Sequence, residues 1–243
     1  MLMDVGEDPL TEAQFTKVVA KLGGAGPAGA VGGGADTSTA DADTELVWRT
    51  DAMHRDFTMN SMSADQHGVL YDYFNGAQHI EQRAVVWAGS AGPAGGDATA
   101  RMAEAPFRCL RYFRFHGEML ERFGGPDSCA PHDRQVLSEM ASQSELLRTG
   151  VNPGVTWKVL QQIIRSGHYA VTHELEVMSK EGFLQQMLPP AATQPGSLDF
   201  EAARLAHDRQ HRAASTTSGS YQVDPVLCCC VLLRANADVV AEV

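Results

Sequence analysis

No run of about 18 uncharged apolar residues occurs in the 243-residue chain, which argues against a membrane-spanning helix of ordinary length. The opening "MLMDVGEDPLTEAQ" is acidic where a secretion or transit leader would be basic. Paired cysteines at C-x-x-C spacing are missing too: Cys228, Cys229 and Cys230 are consecutive within "PVLCCCVLLR", where they read as small apolar residues of a buried helix. A reducing, intracellular and soluble setting is therefore expected, with mitochondrial, cytoplasmic and nuclear locations left open. Positive charge is scarce. Nineteen Lys and Arg stand against thirty Asp and Glu, a net charge of −11, which argues against an extended nucleic-acid surface because phosphate binding draws on clustered cations. None of the nine histidines falls in a recognisable metal-ligand or Ser–His–Asp pattern.

What is present is unevenly distributed. Residues 11–22, "TEAQFTKVVAKL", place Phe15, Val18, Val19 and Leu22 at helical spacing behind a Thr11/Gln14 capping-box pattern. The Gly- and Ala-rich stretch that follows, 23–45, cannot bury enough apolar surface to offset its ordering entropy and is expected to be a disordered insert. A second flexible insert is expected over 89–100. "GVLYDYF" (68–74) and "AVVWAG" (84–89) have strand character, whereas from Pro106 onward the pattern is helical. The fold class is thus α+β, followed by all-α. Only 101–126 is basic, with five arginines against three glutamates, and there Arg108, Arg111 and Arg114 form a drifting stripe while Leu110 and Phe113 face inward. Arginines so close repel unless an anion lies among them.

Four motifs then occur in order: "WRTDAMHRDFTMNSM" (48–62), "GVLYDYFNGAQHIEQRAVVWAG" (68–89), "RMAEAPFRCLRYFRFHGEM" (101–119) and "VTWKVLQQIIRSGH" (155–168). Together they resemble the class II tRNA nucleotidyltransferases, the CCA-adding enzymes and their poly(A) polymerase relatives, with the eukaryotic CCA-adding enzyme as the nearest flavour. After the N-terminal helix (1–22) and the insert (23–45), the resemblance implies the C-terminal part of a nucleotidyltransferase head (46–100), with the flexible insert 89–100, neck-like helices (101–150) and a truncated helical body (151–243). It also implies a reaction: untemplated addition of C, C and A to the tRNA 3′ end from CTP and ATP, with Mg2+ as cofactor. Arg55 and Asp56 fall where the family holds the ribose of the incoming nucleotide, Asp56 as acceptor for the 2′-hydroxyl and Arg55 as donor to a sugar or phosphate oxygen. Arg108, Arg111 and Arg114 complete the implied nucleotide-binding set. Asp72 and Gly76 are expected to be structural, Asp72 accepting backbone N–H groups and Gly76 supplying a positive φ in the turn after Asn75.

Two departures weigh on activity. The family reads the base with an Asp and an Arg, and here the Arg108 position is kept while the template aspartate is replaced by Ala105. Glu104 is better placed for an i, i+4 pair with Arg108 than as a substitute, and Pro106 resets where the helix starts. The family's metal-binding carboxylates, on a strand after a Gly-Gly loop, have no counterpart. "GGGA" (32–35) followed by Asp41 and Asp43 imitates them without a preceding apolar strand. No catalytic residue and no metal ligand is identified on this reading. His54 and His79 also depart from the family's arginine and acidic residue. The expectation is a partial or degenerate CCA-adding enzyme; a non-catalytic nucleotide- or RNA-binding paralogue and a helical scaffold stay open, and so does the oligomeric state.

Overall fold

The computed structural model describes residues 39–64, 68–89, 97–188 and 198–216 together with Cys228, with side chains described outside 39–46, 211 and 213–216. Helix α1 spans Thr39–His54, beginning inside the segment expected to be a disordered insert; the expected helix over 11–22 lies outside the described residues. A short 3-10 turn, Thr58–Asn60, leads to a two-stranded antiparallel sheet in which β1 (Ser63–Ala64) pairs with β2 (Leu70–Tyr71), Ser63 opposite Tyr71. Strand character at 84–89 is realised as a single bridge between Phe57 and Trp87. Backbone hydrogen bonds from Thr58 to Val86 and from Ala88 to Asp56, both 2.9 Å, flank that bridge. Helix α2, Gly76–Glu81, lies between β2 and this bridge.

Side-chain caps set the helix starts in the second half. Asp97 accepts from the amides of Thr99 and Ala100 to open α3 (Ala98–Glu104), Asp133 caps α5 (Arg134–Ser142), and Asn152 caps α7 (Pro153–Ser166), where Pro153 occupies the first turn at no hydrogen-bonding cost. The second expected insert, 89–100, therefore already contains the start of α3. Pro106 separates α3 from α4 (Arg108–Phe123), which ends at Gly124 in the left-handed region (φ 88°). Helix α6 covers Glu145–Gly150. A π-helical segment, Ala170–Glu174, runs into α8 (Leu175–Lys180), and α9 (Phe183–Met187) and α10 (Phe200–Thr216) complete the array.

Helix α4 is the axis of the molecule. It packs against α7 and the π segment, and its Leu110 and Phe113 are fully buried. Phe57 and Trp87 meet at 4.8 Å, and the indole of Trp87 stacks on Tyr112 of α4 with an interplanar angle of 6°. One hydrophobic core therefore runs from Phe57 through α4 to Phe183 and Cys228, across the boundaries expected near 100 and 150. Cys109, Cys129 and Cys228 are buried, and Gln210 Nε2 donates to Cys228 Sγ at 3.5 Å. No described helix is long and apolar enough to cross a membrane.

Candidate nucleotide site at the junction of α1 and α4

Helix α1 ends at His54, and the next two residues face different ways. Arg55 turns outward, pairing with Asp51 one turn earlier at 2.8 Å with more than half of its side chain in solvent. Asp56 turns inward and is 8% exposed. Its Oδ1 accepts from the Phe57 amide (3.0 Å) and from Asn60 Nδ2 (3.1 Å), while Oδ2 lies 2.6 Å from Arg111 Nε. That last contact is an ion pair without an aligned hydrogen bond, because the Nε–H makes none. Arg108, one turn before Arg111 on α4, donates from Nη2 to the His54 carbonyl at 2.9 Å, so it caps the C-terminal end of α1. Its Nη1 holds Glu104 at 2.6 Å, and Arg101 holds the same carboxylate at 3.1 Å. These two guanidinium groups, the Arg108 hydrogen bond foremost, draw the Glu104 carboxyl below its ordinary range.

Three of the five expected residues, Asp56, Arg108 and Arg111, are thus brought together, and two are not. Arg55 diverges onto the surface of α1. Arg114 has rotated away with the drift of the stripe: it donates to Gln162 of α7 at 3.2 Å, lies over the Phe115 ring at 4.4 Å and approaches Glu118 at 3.5 Å. The stripe also differs from the expectation that an external anion must relieve its repulsion. Glu104, Asp56 and Glu118 serve Arg108, Arg111 and Arg114 respectively. Ala105 sits in extended backbone (φ −155°, ψ 93°) between α3 and α4.

Beside the junction, Asp72 accepts from the amides of Gly76 (2.8 Å) and Ala77 (2.9 Å), satisfying the orphan donors of α2. The expectation for Gly76 needs correction. The left-handed residue is Asn75 (φ 59°), and Gly76 is required for a different reason, since a Cβ there would collide with the carbonyl of Thr58. Thr58 in turn bonds His79, whose Nδ1 lies 2.9 Å from the hydroxyl; burial lowers the pKa of this imidazole and Asp72 only partly offsets it.

Histidines far apart in sequence meet elsewhere. His116 of α4, His132 of the loop before α5, and His173 and Glu174 of the π segment present ligand-type atoms within 4.8 Å of one another. Spacings of 16 and 41 residues fit no metal motif, so the absence of a recognisable histidine pattern in the sequence is corrected by the fold. The only trace in the sequence was Glu174 in an otherwise apolar phase of "YAVTHELEVM". Burial alone would push its carboxyl up, but hydrogen bonds from the surrounding imidazoles more than reverse this and hold it well below the usual range.

Residues 32–86 match the poly A polymerase head domain. The mitochondrial CCA tRNA nucleotidyltransferase 1 of Mus musculus is 31% identical over 156 residues, covering 64% of this chain and 32% of that protein. Its counterpart in Danio rerio is 28% identical over 204 residues, covering 84% of this chain and 41% of that one. The chain is thus similar to tRNA nucleotidyltransferases over part of their sequence, and it spans well under half the length of these relatives. Among solved structures, the CCA-adding enzyme of Bacillus stearothermophilus in complex with CTP is similar over 80% of this chain and 45% of that one, at 21% identity and a TM-score of 0.48.

Proposed function

We propose that this chain carries the nucleotide-contacting junction of a CCA-adding tRNA nucleotidyltransferase, which extends the tRNA 3′ end from CTP and ATP. One observation supports this above the others. Asp56 and Arg111, and His54 and Arg108, meet across more than fifty residues of sequence, so Asp56 of the Arg–Asp motif and two arginines of the stripe share one place. A carboxylate has about four lone-pair sites. Asp56 Oδ1 is filled by two donors and Oδ2 by the single Arg111 contact, which leaves one acceptor position beside a guanidinium. A ribose hydroxyl that accepts from Arg111 and donates to Oδ2 matches that arrangement. Arg108 lies at the rim, where its guanidinium can exchange Glu104 for a phosphate or a base nitrogen.

The resemblance implies Mg2+ for the transfer step, but the described side chains do not fit it. Positions 41 and 43 fall on helix α1 and not on a strand, where residues two apart would share a face. Among the described residues, three or more ligating groups converge only at three imidazoles and one carboxylate, a nitrogen-rich set that does not suit Mg2+. No step is assigned to that ion here. The second reading, a nucleotide- or RNA-binding paralogue without catalysis, is favoured by Ala105, because losing a base-reading acceptor costs about 1–3 kcal/mol in a desolvated pocket and falls mainly on discrimination.

One experiment separates these readings: the chain is incubated with Mg2+, labelled CTP or ATP and tRNA lacking its terminal CCA, with CTP binding measured in parallel. Incorporation supports the enzyme. Saturable CTP binding without incorporation supports the paralogue, and absence of both overturns the two together.

A further inference from the structure

The core of the helical half holds a polar arrangement that the nucleotide reading does not use. Glu174 is fully buried, and His116 and His132 are nearly so, while His173 keeps a third of its side chain in solvent. Glu174 Oε1 lies 2.8 Å from His116 Nδ1 and 3.0 Å from His173 Nδ1; Oε2 lies 3.2 Å from His132 Nε2. His132 Nε2 and Glu174 Oε2 are both buried without an aligned hydrogen-bond partner despite their proximity. Two orphaned polar atoms aimed at one another in a core are costly, at about 1–3 kcal/mol each. Something that binds both relieves that cost.

The second ring nitrogens point to what that something is. His116 Nε2 lies 3.0 Å from the Ala130 carbonyl, which can only accept, so Nε2 carries a proton. His116 Nδ1 faces the Glu174 carboxylate at 2.8 Å, and either a second ring proton or a metal cation can lie between the two. The metal alternative fits His116 because an imidazole that binds a metal through one nitrogen while donating its other N–H to a backbone carbonyl is the usual outer-shell pattern. His132 Nδ1 lies 3.2 Å from the Tyr112 hydroxyl, which can accept from it and so allow Nε2 to face the cluster. The ligand-type atoms lie 2.8–3.2 Å apart around the two Glu174 oxygens and within 4.8 Å overall, so the imidazoles would draw inward to reach the edge of about 3.3 Å of a tetrahedron with bonds of about 2.0–2.1 Å.

We propose that His116, His132, His173 and Glu174 form a closed tetrahedral site for a zinc-type divalent transition metal that ties α4, the loop before α5 and the π segment together. Three imidazoles and a carboxylate favour zinc-type ions over Mg2+ or Ca2+. The local backbone is built for convergence. Neighbouring residues on an α-helix diverge by about 100°, and the wider π turn, a form frequent at functional sites, lessens that angle so that His173 and Glu174 reach the same point. Gly117 admits the approach, since its hypothetical Cβ would stand 2.9 Å from Ala170 Cβ and 3.2 Å from Glu174 Cγ. A cavity of about 190 Å³, lined by His79, Trp87, Tyr112, His116 and Ala130, adjoins the cluster, and the partly exposed edge of His173 offers an ion a way in. Four protein ligands leave no open position, so the role is structural.

The test uses the full chain without a polyhistidine tag, stripped with chelator and dialysed against Zn2+ or Co2+. The expected results are one metal per chain by elemental analysis, a melting temperature that rises with added Zn2+, and Co2+ absorption bands of tetrahedral intensity. His173→Gln, at the partly exposed ligand, should keep the wild-type circular dichroism and bind Zn2+ at least about tenfold more weakly. A wild-type chain that stays metal-free with an unchanged melting temperature in excess Zn2+ would overturn the proposal. So would His173→Gln binding Zn2+ as tightly as the wild type.

Discussion

Neighbouring residues at the α1 terminus carry different energetic weights, and the difference can be measured. Asp56 is almost excluded from water, so removing its cation leaves a charge that burial penalises; Arg111→Ala is expected to destabilise the chain by about 2–4 kcal/mol in urea denaturation. The exposed Arg55–Asp51 pair is a solvated i, i+4 contact, and Arg55→Ala should stay within about 0.5 kcal/mol of wild type. Equal costs for the two variants would contradict the inward orientation of Asp56. The adjacent Arg–Asp dipeptide was legible as a motif, but its split between surface and interior was not, because helix phase at a terminus depends on where the helix stops. Burial without a charged partner acts differently at Cys109, where it pushes the thiol up far beyond its ordinary range. Cys109 should therefore resist alkylation in the native chain and react only on unfolding, as peptide mass mapping would reveal.

At the level of elements, the helices from Pro106 onward were legible because their apolar spacing and caps agree. The break at Pro106 was legible too, whereas the one between α5 and α6, the π segment and the start of α1 were not. Sequence pattern sees local preference, while a π turn and a helix starting at Thr39 in a Gly- and Ala-rich region answer to tertiary packing. Gly76 shows the same limit: its neighbour Asn75 takes the left-handed backbone, and a close contact with the Thr58 carbonyl excludes a side chain at Gly76. Gly117 tests the argument by sign. Helix propensity alone predicts that Gly117→Ala stabilises α4 by about 1 kcal/mol. The approach of Ala170 and Glu174 predicts instead a loss of about 1–3 kcal/mol, because the π segment must move outward to admit the methyl group. Denaturant midpoints of the single variant decide between them.

Across the whole molecule, one core joins the head-like segment to the helical array, so disturbances at either end should be felt together. Its pH response follows from buried histidines. His79 has a folded pKa below 6.5, so the unfolded chain binds more protons than the folded one as pH falls through that value, and stability from His79 is lost on the acid side. His79→Gln should flatten the decline in melting temperature between neutral pH and about pH 5. An unaltered slope would show that His79 titrates alike in both states.

The central claim is that the junction where Arg108 caps α1 and Arg111 holds Asp56 receives a ribonucleoside triphosphate. Calorimetric titration of CTP into the folded chain, wild type against Arg108→Gln, tests it most directly. The account predicts saturable binding to the wild type, weakened at least about tenfold, or about 1.4 kcal/mol, in the variant at a temperature where both are folded. No saturable binding to the wild type, or equal affinity in the two proteins, would contradict it.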